Sequence, residues 1–237
     1  MNEQAPEFST TAYLLPRINP EGVKFGVIAL AVAFAVAVLA SHVWWLAWLV
    51  IPVFLAAYGV FLFFRDPERY PPEDEKAILS PADGRICLVQ EWEFPDAVGE
   101  LPEYKGKKFW RVSVFMSVFD VHVNRLPTAG EILKKDYVAA GKFFNASLDK
   151  ASKENERCNY LVKAENGQDY CVTQIAGLVA RRIVPQVAEG QRLARGARFG
   201  LIRFGSRLDV YLPEGVAPEV RVGQTMVAGE TVLGHLS

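Results

Sequence analysis

The stretch GLIRFGSRLDVYLP, Gly200–Pro213, decides how the C-terminal part of the chain is interpreted. Two runs rich in β-branched and aromatic residues, Leu201–Phe204 and Leu208–Leu212, have the composition of β-strands. The pair Gly205-Ser206 separates them, and a glycine inside a strand pattern usually marks a turn, a bulge or a close backbone approach. Taken alone, the stretch predicts a hairpin or bulge at Gly205-Ser206.

The rest of the C-terminal part continues this pattern. Short apolar runs separated by Gly, Pro, Asn and Asp favour a mainly β domain, barrel-sandwich-like, with room for some α+β detail. The predicted strands are Arg85–Gln90, Trp110–Met116, Val118–Asn124, Glu131–Tyr137, Tyr170–Ile175, Ile183–Val184, Phe199–Phe204, Leu208–Leu212 and Thr231–Leu233. The polar segment Lys142–Arg157 is predicted as a short helix or a long loop, because it is too charged for a core.

An internal repeat supports the β-rich interpretation. The segments Val187–Ile202 and Val220–Leu236 share a Val-x-x-Gly-Gln opening followed by two further glycines. Glycines at this spacing supply the positive-φ turns between short strands. The layout resembles the strand-turn units of biotinyl and lipoyl carrier domains. Those carriers present a lysine at a hairpin tip, and neither segment contains a lysine, so a carrier function is not expected.

The segment 25–64 contains no Lys, Arg, Asp or Glu and divides at Ser41-His42. Its two pieces, about sixteen and about twenty-two residues long, predict a hydrophobic helical hairpin in a membrane. Arg17, Lys24, Arg65 and Arg69 flank it. Positive charge on both sides places both ends in the cytoplasm, and hence the C-terminal domain on the cytoplasmic side of the inner membrane. Because Pro52 interrupts the second piece, spanning the bilayer and wedging into one leaflet both stay open.

Four segments are therefore expected. A polar N-terminal segment, 1–24, precedes the hairpin, 25–64. A charged, proline-rich linker, 65–79, leads into a β-rich domain, 80–237.

Cysteine and histidine usage argues against a metal site. The three cysteines form no CxxC pair, which favours a reducing compartment over a disulfide framework or a zinc site. Three scattered histidines do not form a metal cluster. The formal net charge of −1 says nothing by itself about partners, because the charge is unevenly distributed, and no nucleic-acid partner is expected.

Three motifs flanked by glycine or proline, SPADG, DVHVNRLP and FGSR, carry an aspartate, a histidine and a serine: Asp83, His122 and Ser206. Such a set can activate a serine hydroxyl, because the imidazole accepts its proton while the carboxylate orients the ring. A histidine in an apolar strand is also commonly a hydrogen-bonded core residue, so both roles stay open for His122.

Five motifs in order, FFRDPER, SPADG, DVHVNR, GKFFNASLDKASKENER and IRFGSRLDVYLP, together resemble phosphatidylserine decarboxylase proenzymes of the short bacterial and archaeal type. The resemblance covers nearly all of Phe63–Ser237. Longer members of that family carry leucine before the Gly-Ser pair and threonine after it. Phe204 and Arg207 occupy those places here, as in the short type.

The resemblance implies self-cleavage between Gly205 and Ser206, into chains 1–205 and 206–237. Ser206 would attack the Gly205 carbonyl, and elimination would leave a pyruvoyl group in place of Ser206, with no metal involved. By the same resemblance, His122 with Asp83 would assist removal of the serine protons, and His122 would act as general acid.

The implied activity is that of a membrane-bound carboxy-lyase of phospholipid biosynthesis. It would convert phosphatidylserine to phosphatidylethanolamine and CO2 through a Schiff base with the pyruvoyl group. Expected partners are this substrate, membrane lipids and the two chains of the precursor, with a homo-oligomer left open. The alternatives are a decarboxylase of a related serine ether lipid and a non-catalytic membrane adaptor with a carrier-like β-sandwich.

Arginines supply candidate contacts to the substrate. Where longer family members have a second histidine, this chain has Arg125. Arg203 and Arg207 flank the Gly-Ser pair in a stretch that is rich in arginine. Guanidinium groups suit phosphate and carboxylate, so Arg125, Arg203 and Arg207 are substrate-binding candidates, with a solvated surface as the alternative.

Overall fold

The computed structural model describes residues 17–139, 155–177, 182–203 and 206–237, apart from the side chains of Asp96 and Ala97. Most of the predicted polar segment Lys142–Arg157 lies outside these residues, as do Phe204 and Gly205. The chain divides into two compact units, Met1–Glu68 and Arg69–Ser237.

The N-terminal unit holds two apolar helices, α1 (Pro20–His42) and α2 (Ala47–Phe63), with a 3₁₀ turn, Trp44–Leu46, between them. α1 begins at Pro20 because Asn19 caps it: Asn19 Oδ1 accepts a hydrogen bond from the Glu21 N–H at 3.1 Å. Proline suits the first helical position, where no N–H is needed.

Both helical stretches are long and apolar enough to cross a membrane. The mean hydropathy is 2.5 for α1 and 2.3 for α2 with its preceding 3₁₀ turn. α2 continues through Pro52. The two helices approach closely where Gly22 of α1 lies against Phe64, the residue after α2. A side-chain carbon at Gly22 would collide with the Phe64 side chain. Arg17–Ile18 (β1) pairs with Arg65–Asp66 (β2). The predicted pair of apolar helices is confirmed.

The unit Arg69–Ser237 is mainly β, as predicted. Its strands are β3 (Ala77–Leu79), β4 (Gly84–Trp92), β5 (Phe109–Met116), β6 (Val123–Arg125), β7 (Gly130–Val138), β8 (Arg157–Ala164), β9 (Asp169–Ala176), β10 (Arg182–Pro185), β11 (Arg192–Leu193), β12 (Arg198–Arg203), β13 (Ser206–Tyr211), β14 (Thr225–Met226) and β15 (Val232–His235). A four-residue helix, α3 (Asp96–Gly99), follows β4. Eight strands form an antiparallel sheet in the order β11-β7-β8-β9-β13-β5-β4-β14, and smaller sheets have the orders β10-β12-β6 and β15-β3.

The predicted hairpin around the Gly-Ser pair is wrong. β12 and β13 lie in different sheets, β12 between β10 and β6 and β13 between β9 and β5. Each strand already has a neighbour on both sides, so neither has an edge left for the other. The chain therefore passes from the small sheet to the large one between Arg203 and Ser206.

Three further predictions differ from the structure. β8, Arg157–Ala164, was not expected. The predicted strand Val118–Asn124 is mostly a turn, followed by the short β6. The turn forms because Asp120 accepts a hydrogen bond from the Ser117 N–H through Oδ2 at 2.7 Å. The expected linker 65–79 ends in the buried strand β3, because Ala77–Leu79 pairs with β15.

The sequence repeat corresponds to a structural repeat. Gly190 and Gly223 have φ of 77° and 90°, and Gly196 and Gly229 have φ of 73° and 75°, so equivalent glycines make equivalent turns. The repeat includes the long strands as well. β4 and β7 are each nine residues long, begin at a glycine, and shift register three residues into the strand.

Residues on alternate sides of β13 enter different environments. Leu208 and Val210 belong to the main hydrophobic core. Tyr211 belongs to a second cluster with Phe94 and Phe109. Since strand side chains alternate between faces, Ser206 lies on the side of the main core, and Arg207 and Asp209 lie on the other.

Candidate active site

Ser206 begins β13 in the middle of the large sheet and is 0% exposed. In register it lies between Met116 of β5 and Ala176 of β9. Its hydroxyl donates to Met116 Sδ at 3.8 Å, and a thioether is a weak acceptor. The serine that the sequence analysis selected is thus shielded from water and fixed in place on both sides.

A buried polar chain continues from Met116 away from Ser206. Asn124 Nδ2 donates to Met116 Sδ at 3.6 Å, and Gln174 Nε2 donates to Asn124 Oδ1 at 2.8 Å. Tyr160 Oη donates to Gln174 Oε1 at 2.7 Å, and burial raises the pKa of Tyr160, which keeps it a donor. The chain fixes the amide orientation of Asn124 and, through it, the position of the thioether next to Ser206.

Met116, Asn124, Tyr160 and Gln174 were not predicted from the sequence as site residues. Asn124 lies inside the DVHVNR motif and could have been singled out there. Gln174 is a polar residue in an otherwise apolar strand pattern, which is a weaker signal. Nothing in the sequence shows that β5, β6, β8 and β9 bring Met116, Asn124, Tyr160 and Gln174 together.

His122 precedes β6 and is buried. Its Nδ1 lies 2.9 Å from the Asp120 carbonyl oxygen. A carbonyl oxygen only accepts, so Nδ1 carries the hydrogen and the lone pair of the neutral ring is on Nε2. The His122 carbonyl accepts from the Ile202 N–H at 3.3 Å, which fixes the histidine beside the strand that leads to Ser206.

The Asp83 carboxylate is bound to groups other than the His122 ring, so it does not have the position expected in a Ser-His-Asp triad. Its carboxylate accepts two bonds from Arg69 Nη2, at 2.6 and 2.9 Å, and one from the Ala228 N–H at 2.7 Å. Burial raises the pKa of Asp83, and the Arg69 guanidinium opposes that shift. These described partners do not include His122, whose Nδ1 is held by the Asp120 carbonyl instead. Asp120 is close enough to Asp83 to raise its pKa further, so the two segments are neighbours.

The three candidate arginines have different surroundings. Arg125 is buried, and its Nη1 donates to the Gly196 carbonyl at 3.1 Å. Its backbone N–H donates to the Pro81 carbonyl at 2.9 Å, which ties β6 to the SPADG motif. Arg203 ends β12, opposite Arg182 in register.

Arg207 forms a paired, buried contact: Nε and Nη2 donate to the two oxygens of Asp209 at 2.8 and 2.9 Å, and both side chains are fully buried. Because Arg207 lies on the face of β13 opposite Ser206, the structure does not favour it as a contact to a substrate phosphate.

The described residues show neither a reactive thiolate at Cys158 nor a cluster of metal ligands that could form a second catalytic site. Cys158 and Cys171 are buried, and burial raises the pKa of Cys158 to about 11, so it is no thiolate at neutral pH. Within the same described ranges, no group of three or more His, Cys, Asp or Glu side chains could hold a metal ion.

Comparison with known proteins agrees with the motifs. A family model described as phosphatidylserine decarboxylase matches residues 59–234. A protein named phosphatidylserine decarboxylase proenzyme from Erythrobacter litoralis is 53% identical over 93% of this chain and 88% of its own length. A protein of the same name from Ruegeria pomeroyi is 50% identical over 94% of this chain and 96% of its own length. Another protein of this name, from Novosphingobium aromaticivorans, is 48% identical over 96% of this chain and 90% of its own length. The chain belongs to the phosphatidylserine decarboxylase family.

Proposed function

We propose that the chain is a proenzyme that cuts itself before Ser206 and then decarboxylates phosphatidylserine to phosphatidylethanolamine and CO2, a step of phospholipid biosynthesis. One observation supports this most strongly. Ser206 is fully buried at the first position of a central strand, directly after the chain leaves another sheet. Burial there keeps bulk water away from the Ser206 hydroxyl, so that it can attack its own preceding carbonyl without competition from water.

The proposed cut uses the Ser206 hydroxyl and the Gly205 carbonyl. Ser206 Oγ attacks the Gly205 carbonyl carbon, and the C–N bond breaks as the C–O bond forms, which converts the amide into an ester. Loss of the Ser206 Cα proton then expels the Gly205 carboxylate and leaves dehydroalanine. Water replaces its nitrogen, which departs as ammonia. The product is a pyruvoyl group at the head of chain 206–237, with chain 1–205 as the other product.

The surroundings of Ser206 fit a small keto group. The position is buried in the uncut chain, and its neighbours in register are the thioether of Met116 and the methyl of Ala176. Bound there, a pyruvoyl group supplies an electrophilic carbonyl for the substrate amine and a sink for the electrons released with CO2. The Asn124–Gln174–Tyr160 chain keeps Met116, and with it this position, in place.

We assign His122 as the base of the cut and the acid of the decarboxylation. Its Nε2 can accept the hydroxyl proton in the first reaction, and the protonated ring can deliver a proton to the product carbon in the second. Asp83 acts as a positioning residue: it holds Arg69 and the Ala228 backbone beside the Asp120–His122 segment. Arg125 and Arg203 are the arginines retained for the phosphate or carboxylate of the substrate.

The location and architecture are also part of the proposal. The two apolar helices anchor the protein in the inner membrane, with the positive flanks and the β-rich unit in the cytoplasm. The twofold repeat of long strand, bulge and glycine turn supports a barrel-sandwich-like arrangement of that unit.

Intact-mass analysis of the purified full-length protein tests the cut. We expect two chains, 1–205 and 206–237, the smaller without a free amino group at its start. Ser206→Ala should stay a single chain of 26.4 kDa. Ser113→Ala is the matched control, because Ser113 is another buried serine in the large sheet, and it should be cut normally. A folded wild type that stays one chain would leave the adaptor alternative in place.

A further inference from the structure

The turn between β5 and β6 exposes two apolar side chains. Phe119 is 80% exposed and Val118 is 49% exposed. Of the large apolar side chains described in Arg69–Ser237, Phe119 is the most exposed. Comparable exposure occurs at Trp44 and Trp48, at the junction of the two apolar helices.

Hydrogen bonds within this turn hold it in a defined conformation. The Ser117 N–H donates to Asp120 Oδ2 at 2.7 Å, and the Asp120 N–H donates to the Ser117 carbonyl at 3.0 Å. The Phe119 N–H donates to Ser117 Oγ at 3.3 Å. Three hydrogen bonds thus fix the shape of the turn, and the side chains of Val118 and Phe119 are exposed on it.

The turn also joins two parts of the site. Met116, which accepts the Ser206 hydroxyl bond, lies three residues before Phe119, and His122 lies three residues after it. Three residues of extended chain reach about 10 Å at most. The apolar tip is therefore fixed close to Ser206 and His122.

We propose that Val118 and Phe119 insert into the lipid bilayer and place the entrance of the site among the phospholipid molecules. This inference rests on the proposed function, since the substrate named there is a bilayer lipid whose headgroup must reach Ser206 while its acyl chains stay apolar. Exposed aromatic and aliphatic side chains on a rigid turn gain stability at the interface between water and hydrocarbon. A substrate dissolved in water would give no reason for exposed apolar side chains at this turn.

Photo-crosslinking of the full-length protein in nanodiscs that contain phosphatidylserine tests the contact directly. A benzophenone amino acid replaces Phe119, and in a matched protein it replaces Val222, an apolar residue 60% exposed in another turn. We expect lipid adducts by mass spectrometry at position 119 and few or none at position 222. Equal adducts at both positions, or a crosslink from 119 to a second protein chain instead of lipid, would overturn the proposal.

A kinetic test separates lipid contact from damage to the site. The double variant Val118→Ser/Phe119→Ser should be cut normally, yet its kcat/KM on bilayer phosphatidylserine should fall about tenfold or more. Its kcat/KM on a water-soluble short-chain phosphatidylserine should stay close to that of the wild type, and Val222→Ser should change neither value. An equal loss on both substrates would contradict bilayer insertion. If the wild type decarboxylates neither lipid, the proposed function fails, while the crosslink still reports on the turn.

Discussion

At the residue scale, the hydrogen bond between His122 Nδ1 and the Asp120 carbonyl determines which nitrogen of the ring can act. A carboxylate at Nδ1 would stabilise the charged imidazolium, whereas a carbonyl mainly fixes the tautomer and the ring plane. The histidine is therefore suited to exchange a proton through Nε2 in both proposed reactions. Its burial keeps water from competing for that proton.

Replacing His122 by alanine should slow the self-cut by about a hundredfold or more, because general base catalysis is lost. The conversion of freshly synthesised full-length precursor into two chains, followed over time on a gel, measures this. His235→Ala is the matched control, since His235 is exposed and its partners are Glu219 and Asp74. Precursor of the His122 variant that matures as fast as the control would remove His122 from the cut.

Replacing Asn124 by leucine should slow the cut as well as destabilise the fold. The change leaves Gln174 Nε2 without its acceptor inside the core, which costs about 1–3 kcal/mol of unfolding free energy. It also removes the donor that fixes the Met116 thioether beside Ser206.

Thr173→Val provides the comparison, because Thr173 donates to Asn159 at 2.9 Å in a buried bond that does not involve Asn124, Met116 or Ser206. Unfolding midpoints of the uncut proteins, measured in the Ser206→Ala background, should fall for both variants. Only the Asn124 variant should lengthen the time needed for the cut. Equal maturation rates would reduce Asn124 to a purely structural role.

At the element scale, strand composition was readable from the sequence but strand pairing was not. Leu201–Phe204 and Leu208–Leu212 have strand composition, yet Leu201 is paired with Val123 of β6 and Leu208 with Val114 of β5, both far earlier in the chain. The same limit applies to the site. Ser206, His122 and Asp83 could be selected by their chemistry, while the bond of Asp83 to Arg69 depends on tertiary packing. The glycine repeat was predictable because positive φ is a local requirement.

The glycine turn before β15 contacts Arg125, one of the candidate substrate-binding residues. Gly229 has φ of 75°, and an added side-chain carbon would lie 3.0 Å from Arg125 Cδ. Gly229→Ala therefore combines backbone strain of about 1–2 kcal/mol with displacement of Arg125. Gly215→Ala is the control, because its φ is 81° and nothing lies within 4 Å of the added carbon. We expect both variants to lower the unfolding midpoint and only Gly229→Ala to reduce decarboxylase activity per folded molecule.

The pairing of β15 with β3 should depend weakly on pH through His235. Its Nδ1 lies 2.6 Å from Glu219 and its Nε2 3.2 Å from Asp74, and the bond to Glu219 is the main cause that raises the pKa of His235. Because the pKa is raised in the folded state, the stabilisation is complete below the ordinary value of 6.5 and is lost as pH rises through the folded value.

The wild type should therefore have a higher unfolding midpoint than His235→Gln at mildly acidic pH. This difference should become smaller as the pH rises to mildly alkaline values. The difference should be small, because the pair is exposed to solvent. A difference that grows with pH would contradict the assigned sign.

At the scale of the whole molecule, the proposed cut breaks the chain without exposing the core. Residues 206–237 supply β13 to the middle of the large sheet, β14 to its edge and β15 as the partner of β3. β13 pairs over six residues with both β5 and β9. Leu208, Val210 and Leu233 are buried in the main core, so noncovalent burial replaces the lost peptide bond as the link between the two chains.

We therefore expect the two chains of the cut protein to stay together when the protein is diluted to low nanomolar concentration and to separate only in denaturant. Size-exclusion chromatography in detergent, followed by mass analysis of each fraction, measures this. Leu208→Ala removes buried core volume at about 2–5 kcal/mol and should release the small chain at a lower denaturant concentration. Val222→Ala, at an exposed position in the same small chain, should release it at the wild-type concentration. Loss of the small chain from the wild type on dilution alone would show that β13 does not hold the two chains together.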